Sequence, residues 1–152
     1  MASRETDSVR GNFVLLRAGS LRLLLPQAEV GAAIYLEPRP VAGTAPGLLQ
    51  SPDGEDARAF FALSPRMGLG RQCPPDRFVG APFTNDPATV WCWSELRVMI
   101  DASLQWQPLP AILCGSGSPL SSFTVLDNEP VFACGADALL AGALTRGVDD
   151  EA

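Results

Sequence analysis

Cysteine is the side chain here with the widest chemical range. Cys73, Cys92, Cys114 and Cys134 are far apart in the chain, with no C-x-x-C pair and no histidine to complete a mixed metal set. A structural zinc would need four thiolates gathered from four separate segments. A thiol acting as a nucleophile needs a neighbouring base or cation to lower its pKa. The nearest in sequence is Arg71, two residues before Cys73. The four cysteines therefore read as small buried hydrophobes in a reducing compartment.

The other reactive types lead no further. The absence of histidine removes the common hydrolase triads and the usual acid–base group at neutral pH. The clusters Asp53-Gly54-Glu55-Asp56 and Asp149-Asp150-Glu151 fall in a turn and a tail. They read as solvated, because catalytic or metal-binding carboxylates must be held rigidly. Gly115-Ser116-Gly117-Ser118 lacks the G-K-[ST] of a phosphate loop and precedes a strand, so it reads as a linker. Trp91, Trp93 and Trp106 could stack on a ligand, but their alternation within strand-like runs favours core packing. The expectation is a protein with no catalytic residues, no cofactor and no metal.

The elements that must position whatever site exists are mainly strands. The chain has 152 residues, 47% of them apolar, which is enough for one domain or two small barrels sharing a core. Glycine and proline, 14 of each, are spread throughout, and only 18% of residues are charged, which suits short strands and tight turns. The net charge is −6, and all 11 basic residues are dispersed arginines. That pattern argues against nucleic acid and against an anionic membrane surface. No apolar run approaches the ~18 residues of a membrane span. The polar opening MASRETDSVR does not resemble a secretory signal, so a cytoplasmic protein is expected.

The central stretch is Phe13 to Pro26, FVLLRAGSLRLLLP, read as a β-hairpin turning at Gly19-Ser20. Its near-continuous apolar residues require cover on both faces. Residues 1–11 read as a frayed tail, and Pro26 to Val30 as a helical turn before a strand at Ala33-Ile34-Tyr35-Leu36 that Pro38 and Pro40 end. A second hairpin joins 47–50 to 57–63 across Ser51-Pro52-Asp53-Gly54. Ser64 to Leu69 reads as a capped helical turn, and residues 70–87 as the longest irregular segment. A third hairpin is expected from 89–101 with its turn at Ser94-Glu95, extended through Pro108 and Cys114. A fourth is expected from Leu120–Leu126 and Pro130–Cys134 around Asp127-Asn128-Glu129. The one convincing helix spans Ala136–Leu144, with Leu139, Leu140 and Leu144 free to dock, before an acidic tail read as disordered over 145–152. About nine or ten strands in four hairpins fit an all-β fold of two small barrels.

Three segments then resemble the CheW-like family of chemotaxis and pilus-signalling adaptors, over residues 12–144. They are FVLLRAGSLRLLLPQAEV at the start, VWCWSELRVMID in the middle and SPLSSFTVLDNEPVFACGADALL at the end. The resemblance implies two five-stranded SH3-like barrels, short helical turns and a C-terminal helix. It also implies a non-enzymatic scaffold that couples a histidine kinase regulatory domain to a chemoreceptor-like protein or to type IV pilus machinery. The chain departs from the family at Gly47–Gly54, where a G-x-x-N-x-R-G-like segment would carry an arginine that is absent here. A pairing surface on such a barrel would combine exposed apolar residues with flanking arginine, placed at Leu36, Arg39, Leu49 and Arg58. The competing reading is a small-molecule-binding or enzymatic β-barrel, with residues 70–87 as a lid over Trp91 or Trp93.

Overall fold

An apolar run such as Val14-Leu15-Leu16 is tolerated only in a strand covered on both faces. The computed structural model of the chain, which describes residues 7–109 and 120–149, shows what covers it. In chain order the strands are β1 (Asp7–Ala18), β2 (Leu21–Pro26), β3 (Ile34–Tyr35), β4 (Val41–Ala42), β5 (Leu49–Gln50), β6 (Ala59–Ala62) and β7 (Leu69–Gly70). They continue as β8 (Val79–Phe83), β9 (Asp86–Trp93), β10 (Glu95–Pro108), β11 (Leu120–Leu126) and β12 (Glu129–Cys134). The α-helix α1 (Ala136–Arg146) and strand β13 (Val148–Asp149) follow.

The first hairpin forms as its sequence requires, with Val14 opposite Leu25, Leu16 opposite Leu23, and Gly19 taking the turn at φ 62°. Leu15 and Leu24 face inward on Leu104 and Val131. Val14, Leu16, Leu23 and Leu25 face the other way, into a cluster with Phe83, Trp91, Trp93 and Leu139. Leu15, Leu16, Leu23 and Leu25 have no exposed surface. At about 1.5–3 kcal/mol for each buried side chain, this hairpin is a main source of cohesion.

Strands β1, β10, β11, β12 and β2 close into a five-stranded barrel. The closing pair, β12 with β2, is parallel and joins Phe132 to Leu23 and Ala133 to Leu24. The fourth expected hairpin is β11–β12, turning at Asp127 and Asn128, which both have positive φ as a tight two-residue turn demands. The second half is a six-stranded sheet in the order β3-β8-β9-β6-β5-β4, and among the described residues its edges do not pair to close a second barrel.

Several expectations are corrected. Residues 7–11 are not a tail: Asp7 to Gly11 pair with Trp106 to Ala102, extending β1 although Ser8, Val9 and Arg10 are all exposed. The segment 70–87 is not one long loop, because it contains β8 and the start of β9. Pro82 hid the strand; it sits at the register shift between Ala81 and Phe83, a place where a ladder tolerates proline. Strands β9 and β10 do not form a hairpin, since β9 pairs with β6 and β8 while β10 pairs with β1 and β11. The chain changes sheets at Ser94.

Ser64 caps a turn without a helix: its Oγ accepts the amides of Arg66 (3.3 Å) and Gly68 (3.1 Å). The turn predicted after Pro26 is a 3-10 helix at Gln27–Glu29. Helix α1 runs through Arg146 and buries Leu139 and Ala143, whereas Leu144 is 65% exposed. Beyond it Val148 pairs with Leu69 and Asp149 with Gly70, where a disordered tail was expected. The Pro110–Cys114 continuation and the Gly115–Ser118 linker lie outside the described residues.

Candidate functional site

Pro38 and Pro40 cannot donate to a ladder, so the strand they follow is cut to two residues. That strand, β3, forms one edge of the six-stranded sheet and, among the described residues, pairs with β8 alone, Ile34 to Gly80 and Tyr35 to Val79. The period-two alternation of a strand then sets the faces. Leu36 turns into the core cluster of Leu49, Phe60, Val90 and Cys92, while Tyr35 stands out at 88% exposure. Beside it the Leu36 amide donates to the Phe78 carbonyl (3.0 Å), and the Phe78 side chain is 58% exposed.

Tyr35 borders three adjoining hollows. The largest, about 650 Å³, is lined by Tyr35, Leu36, Glu37, Arg39 and Phe78. A second, about 400 Å³, continues over Ala33, Ile34, Val79 and Leu96 onto the barrel strand β10. A third of about 400 Å³ lies on the other side and is acidic, with Glu37, Asp53, Glu55 and Asp56 on its walls. Together they make an apolar, aromatic-centred surface with a carboxylate rim.

The four residues expected to carry docking fall in different places. Leu36 and Arg39 line the largest hollow. Leu49 has no exposed surface and packs inside the same core cluster as Leu36, so it offers no apolar area to a partner. Arg58 is held by Asp56, with Nη2 to Oδ2 at 2.8 Å and Nε to Oδ1 at 3.0 Å, and this pairing holds the Asp56 carboxyl below its usual range. The structure thus brings Leu36 and Arg39 to one surface, keeps Leu49 in the core beneath it, and leaves Arg58 paired with Asp56.

What sequence reasoning missed is Tyr35 and Phe78 as exposed neighbours, and Arg77 as a buried one. Arg77 is 2% exposed, and its Nη1 donates to the carbonyls of Leu63 (2.9 Å) and Cys92 (3.2 Å). Its Nε lies 3.3 Å from Asp76 Oδ1, near enough for charge pairing but not aligned for a hydrogen bond. Burial lowers the Arg77 pKa from the ordinary guanidinium value, against the raising effect of Asp76. Asp76 in turn accepts from Ser94 Oγ (2.9 Å), which accepts the Gly19 amide (3.1 Å). Through Ser94 the barrel hairpin and the six-stranded sheet are joined where the chain crosses between them. Arg39 adds a clamp, its Nη1 donating to the carbonyls of Pro74 (2.8 Å) and Arg77 (3.4 Å).

Trp91 and Trp93 are core residues, packed with Phe61 and Phe83 at centroid distances of 5.4–6.3 Å. Among the described residues, no three Cys, Asp or Glu side chains converge as a metal set would. No protein-family model matches the chain, and no curated protein matches it in sequence.

Proposed function

We propose that this chain is a non-enzymatic adaptor of CheW-like type, docking the regulatory domain of a histidine kinase and a chemoreceptor-like protein in the cytoplasm. In this reading the closed barrel is one SH3-like half and the six-stranded sheet is the divergent counterpart of the other. The observation that carries it is the exposed pair Tyr35 and Phe78 on one hollow at an unpaired sheet edge. Exposed aromatics beside an arginine are the composition of energetic anchors at protein interfaces. A free edge adds main-chain groups that an incoming strand can pair with. The carboxylates around the third hollow favour a partner whose apolar contact is fringed by basic side chains.

Leu36 and Arg39 contribute from the hollow itself, Leu49 supports Leu36 from the core, and Arg58 is paired with Asp56 on the wall of the acidic hollow. The absent arginine in Gly47–Gly54 means that binding energy has to come from the β3 edge rather than from that segment.

The test is titration calorimetry of the purified regulatory domain of a histidine kinase encoded beside this chain. Tyr35→Ala and Phe78→Ala should each weaken binding by ~30-fold, the size of an anchor loss of about 2 kcal/mol. Their thermal unfolding should stay near wild type, because both side chains are exposed. Unchanged affinity in both folded variants refutes the docking surface, and saturable binding of a small metabolite there would favour the ligand-binding barrel instead.

A further inference from the structure

We infer that Cys73 and Cys92 form a reversible thiol–disulfide site that hydrogen peroxide oxidises and a small dithiol reopens. The sequence separates these cysteines by eighteen residues, and the fold places both in one core cluster. Cys92 lies on β9 with no exposed surface, in the cluster of Leu36, Leu49, Phe60 and Val90. Cys73 packs against that cluster from the segment leading to β8, half-buried and near enough to Cys92 for each thiol to shift the other's ionisation.

Two guanidinium groups surround the pair. Arg77 Nη1 is anchored on the Cys92 carbonyl, and Arg39 Nη1 on the carbonyl of Pro74, the residue next to Cys73. Arginine beside a partly accessible thiol is the setting that makes a cysteine reactive. The neighbouring Cys92 thiol and the charges of Arg39 and Arg77 hold Cys73 below the ordinary thiol range, against its own burial. Cys92 is pushed up, first by the neighbouring Cys73 thiol and then by burial. The roles are therefore unequal: Cys73 is the more readily ionised thiol of the two, and Cys92 the more firmly protonated. Cys134 lacks such cations and is raised to about 12 by burial, with Glu29 adding to the effect.

The chemistry runs in two balanced steps. The Cys73 thiolate attacks one peroxide oxygen, the O–O bond breaks, and the hydroxide that leaves takes a proton to become water while sulfur becomes a sulfenic acid. The Cys92 sulfur then attacks the Cys73 sulfur, the S–S bond forms, the S–O bond breaks, and the leaving hydroxide combines with the Cys92 proton as a second water. Two thiols give up two electrons and two protons, and the peroxide is reduced to two waters. The new bond ties the segment carrying Pro74 and Phe78 to β9. This site does not depend on the docking reading, and its test needs no partner.

The experiment treats the full native chain with hydrogen peroxide, blocks remaining thiols by alkylation, and maps tryptic peptides without reduction. Cleavage at Arg71, Arg77 and Arg97 places Cys73 in peptide 72–77 and Cys92 in peptide 78–97. The expected product is these two peptides joined, two hydrogens lighter than their sum, separated again by dithiothreitol, with Cys134 alkylated throughout. In Cys92→Ala the sulfenic acid on Cys73 should persist and be captured by dimedone. Arg39→Gln should slow oxidation of Cys73 by at least ~3-fold. Cys73 remaining reduced, passing to the sulfinic acid, or pairing with Cys114 or Cys134 in the wild-type chain overturns the assignment, whether or not any variant folds.

Discussion

Replacing Arg77 by methionine tests the junction beneath the candidate site. Methionine keeps the bulk of the side chain and removes the donors. Two main-chain carbonyls, those of Leu63 and Cys92, then lose a donor in a region closed to water. Each buried acceptor left unpaired costs about 1–3 kcal/mol. Removing the guanidinium also relieves its own desolvation, the largest influence on its pKa. Asp76 does not become a stranded buried charge, because its side chain is 48% exposed. The net loss is therefore about 3 kcal/mol, below the sum of two orphaned carbonyls and within the range for breaking a buried charged network. A chain of this size moves roughly 2–4 °C in Tm per kcal/mol, so a fall of about 6–12 °C is expected. Urea unfolding followed by tryptophan fluorescence reads the same change as a lower midpoint with an unchanged slope, since Trp91 and Trp93 sit in the adjoining core. Arg77→Lys should recover part of the loss, because an ammonium can reach one carbonyl but cannot present a planar fork. A methionine variant within about 0.5 kcal/mol of wild type refutes the reasoning, since it leaves those carbonyls no need of the arginine.

Three other outcomes follow from equally local features. A methyl group on Gly80 would lie 2.7 Å from Val90 Cγ1 and 3.0 Å from Leu36 Cδ2, so Gly80→Ala should cost about 1–3 kcal/mol by denaturant unfolding. The Glu29 carboxylate accepts the Ala136 amide at 2.8 Å and faces the positive end of α1, so Glu29→Ala should cost about 1 kcal/mol and raise hydrogen exchange in the first turn of that helix. Cys134 is held up to about 12 from an ordinary value of 9.0, which favours its neutral form in the folded state. That contribution is complete below pH 9 and is lost as pH rises towards 12. Wild type should therefore lose stability over that window, and Cys134→Ala should lose less when unfolding midpoints are compared across it.

Local pattern carried part of this fold. The β1–β2 hairpin was legible because Leu15 and Leu16 can both be apolar only between two covered faces, and Gly19 marks the turn. The β11–β12 turn was legible because Asp127 and Asn128 tolerate positive φ. Pairing between distant segments was not. Nothing local tells Trp93 that its strand ends in one sheet and Glu95 that the next begins in another, and Pro82 concealed β8 because its tolerance depends on a register shift. The site followed the same division. The strand around Tyr35 was read from Ala33 to Leu36, but which of its faces is solvated depends on the neighbours of Leu36, namely Leu49, Phe60 and Val90. Arg77 looked like any other dispersed arginine, because its burial arises from carbonyls fourteen and fifteen residues away. The approach of Cys73 to Cys92 had no sequence signal at all, since Cys73 lies outside the strands and reaches the Cys92 cluster only through tertiary packing.

The most direct test of the docking account is hydrogen–deuterium exchange on this chain, alone and saturated with the purified histidine kinase regulatory domain. Protection gained at 33–39 and 78–79, with the exposed barrel residues Val98 and Ile100 unchanged, is the predicted result. Protection confined to the Val98–Ile100 face, or none anywhere at saturating partner, would contradict it.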